Sequence, residues 1–290
     1  MKHDGNGRPC GRLAALLACA ALLLSCPPVA WAQPLEASWT GVERVYAFAD
    51  VHGAYGELTT LLRSAGIVDA DLHWSGGRAH LVSTGDLLDR GADSRKVMDL
   101  LMRLQDEARA AGGRVHVVLG NHEAMNVLGD LRYVDPGEYA AYASDEDPAE
   151  RARAQAAFLA RNPGRSAADF DRLFPPGWFG HRRMLGPDGP YGRWLLSLPV
   201  AIRVNDTVYM HGGPSALLAG RSLEQLNGDY GAALREYLDA AAALEGAGLL
   251  QIEDAYARRP EAAAARLATL PAAEAARLAP AVDRFKAADD

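Results

Sequence analysis

Four short stretches concentrate the residue types that do chemistry. They are Asp50-Val51-His52-Gly53, Gly85-Asp86-Leu87-Leu88-Asp89-Arg90-Gly91, Gly120-Asn121-His122-Glu123 and His211-Gly212-Gly213. Oxygen and imidazole ligands without a thiolate suit ions of borderline hardness such as Mn, Fe or Zn. One carboxylate shared by two ions makes a two-metal site, with the ions roughly 3.5–4 Å apart. Asp86 is the candidate for that bridge, and Gly85 and Gly91 allow the backbone to approach the ions and turn away. Each residue also has a plainer reading. Asp50 and Asp86 suit turns, His122 suits a cap, Asp89 and Arg90 suit a surface ion pair worth little, and His211 suits a hairpin exit.

The elements that must position these residues alternate. Residues 44–50, 78–86 and 114–121 read as strands, being apolar and rich in β-branched residues. Residues 55–66 and 94–112 carry helical spacing, the second capped by Ser94 and closed by Gly112-Gly113. The pattern β-α-β-α-β predicts an α/β fold with a parallel sheet and right-handed crossovers. Neighbouring strands of such a sheet end side by side, where ligands bind. Asp50 and His52, two apart, point to one side of an extended chain. Asp50, His52, Asp86, Asn121 and His211 can therefore converge although they span 162 positions. Residues 127–195 are polar and proline-interrupted and read as a helical insertion over one end of the sheet. Residues 200–213 read as a hairpin turning at Asn205-Asp206. The tail from about 215 to 290 reads as helix broken at Pro260, Pro271 and Pro280. His80 and His116 read as core or edge fillers and Glu123 as loop support. Trp178 and Phe179 read as packing, and so does His181, with substrate contact as its alternative role.

The first 32 residues read as a secretory signal peptide. Lys2, Arg8 and Arg12 precede an apolar run, Leu13 to Leu24, and Ala30-Trp31-Ala32 matches a small-x-small cleavage site. A lipoprotein site at Cys26 is the alternative. The expected location is thus periplasmic or secreted, with no stable membrane insertion. Cys10, Cys19 and Cys26 all lie in this leader, so the domain at 33–290 uses neither disulfides nor thiolates. Taking Lys2, Arg8, Arg12 and Asp4 from totals of 30 basic and 37 acidic residues leaves 27 and 36, a net charge of −9. That argues against a nucleic-acid partner.

The motif set resembles the calcineurin-like metallophosphoesterases, in their phosphoprotein-phosphatase branch. It is most like the bacterial Shewanella-like phosphatases, given the extended GNHEAMNVLGDLRYV, the leader and the long insertion. The resemblance covers about residues 44–213 and implies a β-sandwich flanked by helices. It implies two metal ions, one held by Asp50, His52 and Asp86, the other by Asp86, Asn121 and His211. It further implies in-line attack by a hydroxide between the ions, Arg90 gripping the phosphate with Asn121 beside it, and His122, oriented by Asp89, protonating the leaving oxygen. The substrate implied is a phosphorylated protein, phosphotyrosine included, or a small phosphate ester. A dinucleoside polyphosphate hydrolase shares the first three motifs and is the second reading.

The pattern departs from the family at its end. There is no histidine after His211, no Trp-Tyr-Arg-Gly segment, and no counterpart of the last strands. Either the chain is C-terminally incomplete, or it is a variant with a weak second ion site. An inactive metal- or phosphate-binding module is the third reading.

Overall fold

The computed structural model describes residues 36–289; the leader expected at 1–32 lies outside them. The chain enters through β1 (Ser38–Trp39), a strand too short to show a pattern in the sequence, and continues into β2 (Val45–Phe48). Helix α1 (Tyr55–Ser64) leads to β3 (His80–Ser83), and α2 (Ser94–Ala110) leads to β4 (Arg114–Val117). β2, β3 and β4 pair in that order and in parallel, with Val45 opposite His80 and His80 opposite Arg114. The expected β-α-β-α-β unit is present. Its strands are shorter than the apolar runs, because the chain leaves extended geometry where the polar motifs begin.

A second sheet faces the first. β5 (Ala201–Val204) and β6 (Thr207–Met210) form the hairpin at Asn205-Asp206, and β1 pairs in parallel with β5 on its other side. Val82 and Val118 of one sheet meet Ile202 and Val204 of the other, with Trp39, Val45 and Tyr209 around them. Leu81, Val115 and Val117 lie in the main core with Leu58 and Leu62 of α1 and Val97 and Leu101 of α2. β3 and β4 are thus buried on both faces, as strands of parallel sheets are, while the edge strand β2 is only partly covered. The architecture is the expected α/β sandwich flanked by helices.

Ser94 does not cap α2: Asp93 is the residue before the helix, and the Ser94 hydroxyl donates to Glu138 Oε2 at 2.8 Å. A buried acid has drawn the hydroxyl away from the helix end. His80 and His116 fill the sandwich, His116 Nε2 lying 3.0 Å from His80 Nδ1 and the Trp39 ring packing at a tilt, 4.2 Å from the His116 ring. Burial, then the neighbouring His80 and Arg114, lowers the His116 pKa to about 3.

After β4 come six helices: α3 (Asn121–Leu128), α4 (Pro136–Ala140), α5 (Pro148–Arg161), α6 (Ala167–Leu173), α7 (Trp178–Leu185) and α8 (Pro190–Leu195). Phe158, Phe170, Phe174 and Phe179 form a separate aromatic core with Trp178 against it. His181 is fully buried beside Tyr139 and Tyr142, so its alternative role as a substrate contact is excluded.

The tail folds as α9 (Leu223–Gly246), α10 (Arg259–Leu267) and α11 (Ala272–Asp289). Tyr237, Leu244, Leu249, Val282 and Phe285 form its own core, and Leu234 of α9 joins the main one. Pro260 and Pro271 mark helix starts, but Pro280 sits inside α11 without breaking it. Leu278, Val282 and Phe285 bracket the proline and are buried, so packing offsets the lost backbone hydrogen bond. No described helix is long and apolar enough to cross a membrane.

Candidate metal centre

The motifs lie just beyond β2 and β3, at the first turn of α3, and after β6. The backbone there is unusual. Asp50, His52, Asp86, Asp89 and Arg90 all have positive φ, at 52°, 46°, 55°, 68° and 65°. Left-handed geometry in a non-glycine residue costs on the order of 1 kcal/mol or more, and such residues gather at functional sites. The same-side argument for Asp50 and His52 assumed an extended chain, and both residues are left-handed instead. What places them is cross-strand bonding. Asp50 N–H donates to Gly85 O at 3.2 Å, His52 N–H to Asp86 O at 2.9 Å and Gly53 N–H to Leu87 O at 2.8 Å.

Glu123 holds the Asp86 turn. Its Oε2 accepts from the N–H groups of Asp86 and Gly120, each at 2.8 Å, and its Oε1 from those of Leu87 at 2.7 Å and Leu88 at 3.3 Å. The carboxyl is fully buried. Burial raises its pKa, and the N–H donors oppose that rise. Glycine is required where these loops touch: a Cβ on Gly85, whose φ is 96°, would lie 2.6 Å from Gly120 N.

Asp86 Oδ2 is the hub. It lies 3.3 Å from His211 Nε2, 3.7 Å from His52 Nε2 and 3.9 Å from His122 Nε2. Two triads of ligand atoms share Asp86, each within 4.8 Å: His52, Asp86 and His122, and Asp50, Asp86 and His211. Asp50 therefore groups with His211 rather than with His52. Asn121, the first residue of α3, places Oδ1 2.9 Å from His211 Nε2.

The rings are oriented from behind. His52 Nδ1 is 2.9 Å from Leu88 O, and His211 Nδ1 is 2.9 Å from Thr84 O. A carbonyl oxygen only accepts, so each Nδ1 donates to it, and each ring is held with its Nε2 edge toward Asp86. The Nε2 atoms of two imidazoles, a carboxylate and the Asn121 carbonyl thus converge. That donor set fits divalent ions.

Beside the hub stands an acid–base pair. His122 Nδ1 is 2.6 Å from Asp89 Oδ2, and Asn126 Nδ2 donates to Asp89 Oδ1 and to His122 O, both at 2.9 Å. Burial raises the Asp89 pKa, while the bonds from Asn126 and His122 oppose it. Arg90 Nη2 lies 3.2 Å from His122 Nε2. Arg90 is exposed, and the exposed Tyr133 ring stands 5.3 Å from the His122 ring. Tyr133 also accepts the Arg90 N–H through its carbonyl at 2.9 Å. The sequence reading missed Asn126 and Tyr133. Asn126 was within reach, being four residues after His122 on one helix; Tyr133 carried no signal, since only the return of its loop brings it back.

The sandwich, the strand-end motifs and the shared carboxylate define a metallophosphoesterase architecture. Residues 43–236 match the calcineurin-like phosphoesterase family, and the chain belongs to it. Membership implies divalent metal ions. The chain is 31% identical over 203 residues to Shewanella-like protein phosphatase 2 of Arabidopsis thaliana, covering 67% of this chain and 52% of that protein. It is 34% identical to the solved cold-active protein-tyrosine phosphatase of a psychrophilic Shewanella species, with a TM-score of 0.51, covering 68% of this chain and 51% of that one. Over 78 residues it is 37% identical to a symmetrical bis(5'-nucleosyl)-tetraphosphatase of Buchnera aphidicola, covering 27% of this chain and 23% of that protein. The chain spans about half the length of the two phosphatases.

Proposed function

We propose that this protein is a metal-dependent phosphomonoesterase acting on phosphorylated protein, with phosphotyrosine or another aryl phosphate as the preferred group. The observation that carries the reading is Asp86 Oδ2 within 4 Å of three imidazole Nε2 atoms. Asp50, His52, Asp86, Asn121 and His211 would hold two ions of Mn, Fe or Zn, with Asp86 common to both. Bound there, the ions supply Lewis-acid activation of water and charge neutralisation at phosphorus.

The remaining groups act on substrate. Arg90, exposed at the rim, takes two phosphate oxygens with its fork of donors. Leaving His122 for the phosphate, it frees His122 Nε2 to carry a proton to the departing oxygen. Asp89 keeps Nδ1 protonated and stabilises the charged ring. Tyr133 offers an aromatic face beside Arg90, which supports an aryl phosphate over an alkyl one.

Asp86→Asn tests the reading. Metal content and hydrolysis of a phosphotyrosine peptide should both collapse, with hydrolysis down at least a hundredfold. Near-normal hydrolysis with normal metal content would refute it. The local likeness to the Buchnera tetraphosphatase supports a second reading, hydrolysis of dinucleoside polyphosphates. Faster turnover of diadenosine tetraphosphate than of the phosphopeptide would reverse the order.

Export through the leader at 1–32 is part of the proposal, supported by its basic start, apolar run and Ala30-Trp31-Ala32. Protein from a periplasmic or culture fraction should begin at Gln33; a lipid-modified Cys26 would show anchoring instead.

A further inference from the structure

The far end of α3 carries two arginines that the metal centre does not use. Gly129, at the C-terminal cap of α3 with φ 88°, lies under both guanidinium groups. A Cβ built there would stand 3.1 Å from Arg182 Nη2 and 3.2 Å from Arg259 Nη1. Arg182 Nη1 donates to Asn126 O at 2.8 Å, and Arg259 Nη1 donates to Leu128 O at 3.2 Å. The Arg259 guanidinium also sits 5.4 Å from the Tyr256 ring centroid. Neither arginine has a carboxylate within 4.0 Å among the described residues. Arg259 is only 9% exposed, and its Nε has no hydrogen-bond partner.

The plain reading is that both arginines satisfy the last carbonyls of α3. Those carbonyls present only about half a negative charge. Beyond ion-pair distance, Asp254, itself paired with Arg266, faces Arg259. Glu245 of α9 attracts Arg182 from beyond ion-pair distance, and burial together with Arg259 pulls the Arg182 pKa down. Beside the arginines is a cavity of about 380 Å³, lined by Arg182, Arg183 and Arg259, by the acids Glu150, Asp188 and Glu245, and by Trp178 and Ile252. No residue of the metal centre lines it. Gly129, beneath the two arginines, stands roughly 10 Å along α3 from His122, at about 1.5 Å per residue.

We propose that Arg182 and Arg259 form a second binding site, separate from the metal centre, for a phosphate-type oxyanion seated in this cavity. Two guanidinium groups side by side present forked donors to such a group. The cavity is larger than a phosphate ion, so a phosphoryl group carried on another molecule shares the chemistry with free phosphate. Tryptophan in the wall suits an aromatic carrier.

The test is calorimetric titration of the chelator-treated full chain, first with inorganic phosphate and then with phenyl phosphate, at constant ionic strength. Removing metal takes away the ions' share of phosphate binding at the two-ion centre and leaves Arg90 there as the competing site. Saturable binding is expected, weakened at least tenfold in Arg182→Gln and in Arg259→Lys and unchanged in Arg258→Gln, whose side chain is exposed. Arg259→Lys keeps the charge and protects the fold. Circular dichroism of each variant verifies that it is folded. Tighter binding of phenyl phosphate than of phosphate identifies a carried phosphoryl group as the source; the reverse identifies the free ion. Absence of saturable binding in the wild-type chain overturns the proposal. So does binding that survives in both Arg182→Gln and Arg259→Lys, which would assign the anion to Arg90.

Discussion

His122 Nδ1 stands 2.6 Å from Asp89 Oδ2, and the Asp89 side chain is wholly shielded from water. A buried carboxylate at this distance fixes the ring tautomer and stabilises the ring when it becomes charged. It also leaves Nε2 as the one nitrogen able to exchange a proton with substrate.

Replacing the acid–base imidazole should therefore show in the leaving group. His122→Ala is expected to slow an alkyl phosphate by about a hundredfold or more, while nitrophenyl phosphate, whose leaving group needs little protonation, loses far less. Asp89→Asn should reproduce that selectivity in weaker form. Steady-state kinetics on the two esters decides the matter, and equal losses on both would remove His122 as the acid.

Both Glu123 oxygens are taken up by backbone N–H donors, and its loss should be felt at the metal centre. Glu123→Gln keeps the shape but turns an N–H₂ toward buried N–H donors that now have a carboxylate. Each donor left unsatisfied costs about 1–3 kcal/mol. The variant should melt several degrees lower and bind Mn more weakly than the wild type, as read by thermal unfolding with and without added metal. Wild-type stability would show that the four N–H groups find other partners.

Glu138 gives the pH dependence of stability a distinct limb. Its carboxyl is buried, and burial pushes its pKa up to about 7, against the hydrogen bond from Ser94. Between pH 4.5 and about 7 the folded chain holds this proton while the unfolded chain has released it. Stability therefore falls as pH rises through that window, by on the order of 3 kcal/mol at 1.36 kcal/mol per pH unit. Glu138→Gln should flatten the limb. Urea unfolding at pH 5 and pH 7.5 measures it, and an unchanged slope in the variant would show the carboxyl to be ionised throughout.

His116 acts in the opposite sense. Its folded pKa of about 3 lies below the ordinary value of 6.5. From pH 6.5 down to about 3 the unfolded chain binds the proton and the folded chain does not, so stability falls as pH falls. His116→Gln should make the acid limb shallower, measured by the same denaturant titrations between pH 4 and pH 6.5.

Much of this arrangement was legible before any coordinates. Strands ending in Asp50-Val51-His52, in Gly85-Asp86 and in Gly120-Asn121-His122 could meet only at one edge of a parallel sheet, because crossovers bring strand ends to the same side. The order of the motifs carried the family, and the hairpin turn at Asn205-Asp206 was stated by residue type. These are local properties: apolar period, turn chemistry and motif order survive in the linear chain.

Only the tertiary structure decided the rest. It set Asp50 near His211 and His52 near His122 around Asp86, with left-handed backbone at Asp50, His52 and Asp86. It brought β1 beside β5, buried His181, carried α11 straight through Pro280 and set Arg182 against Arg259. Each of these depends on contacts between residues tens to more than a hundred positions apart. Their energies come from burial and long-range hydrogen bonds, which no short window of sequence contains.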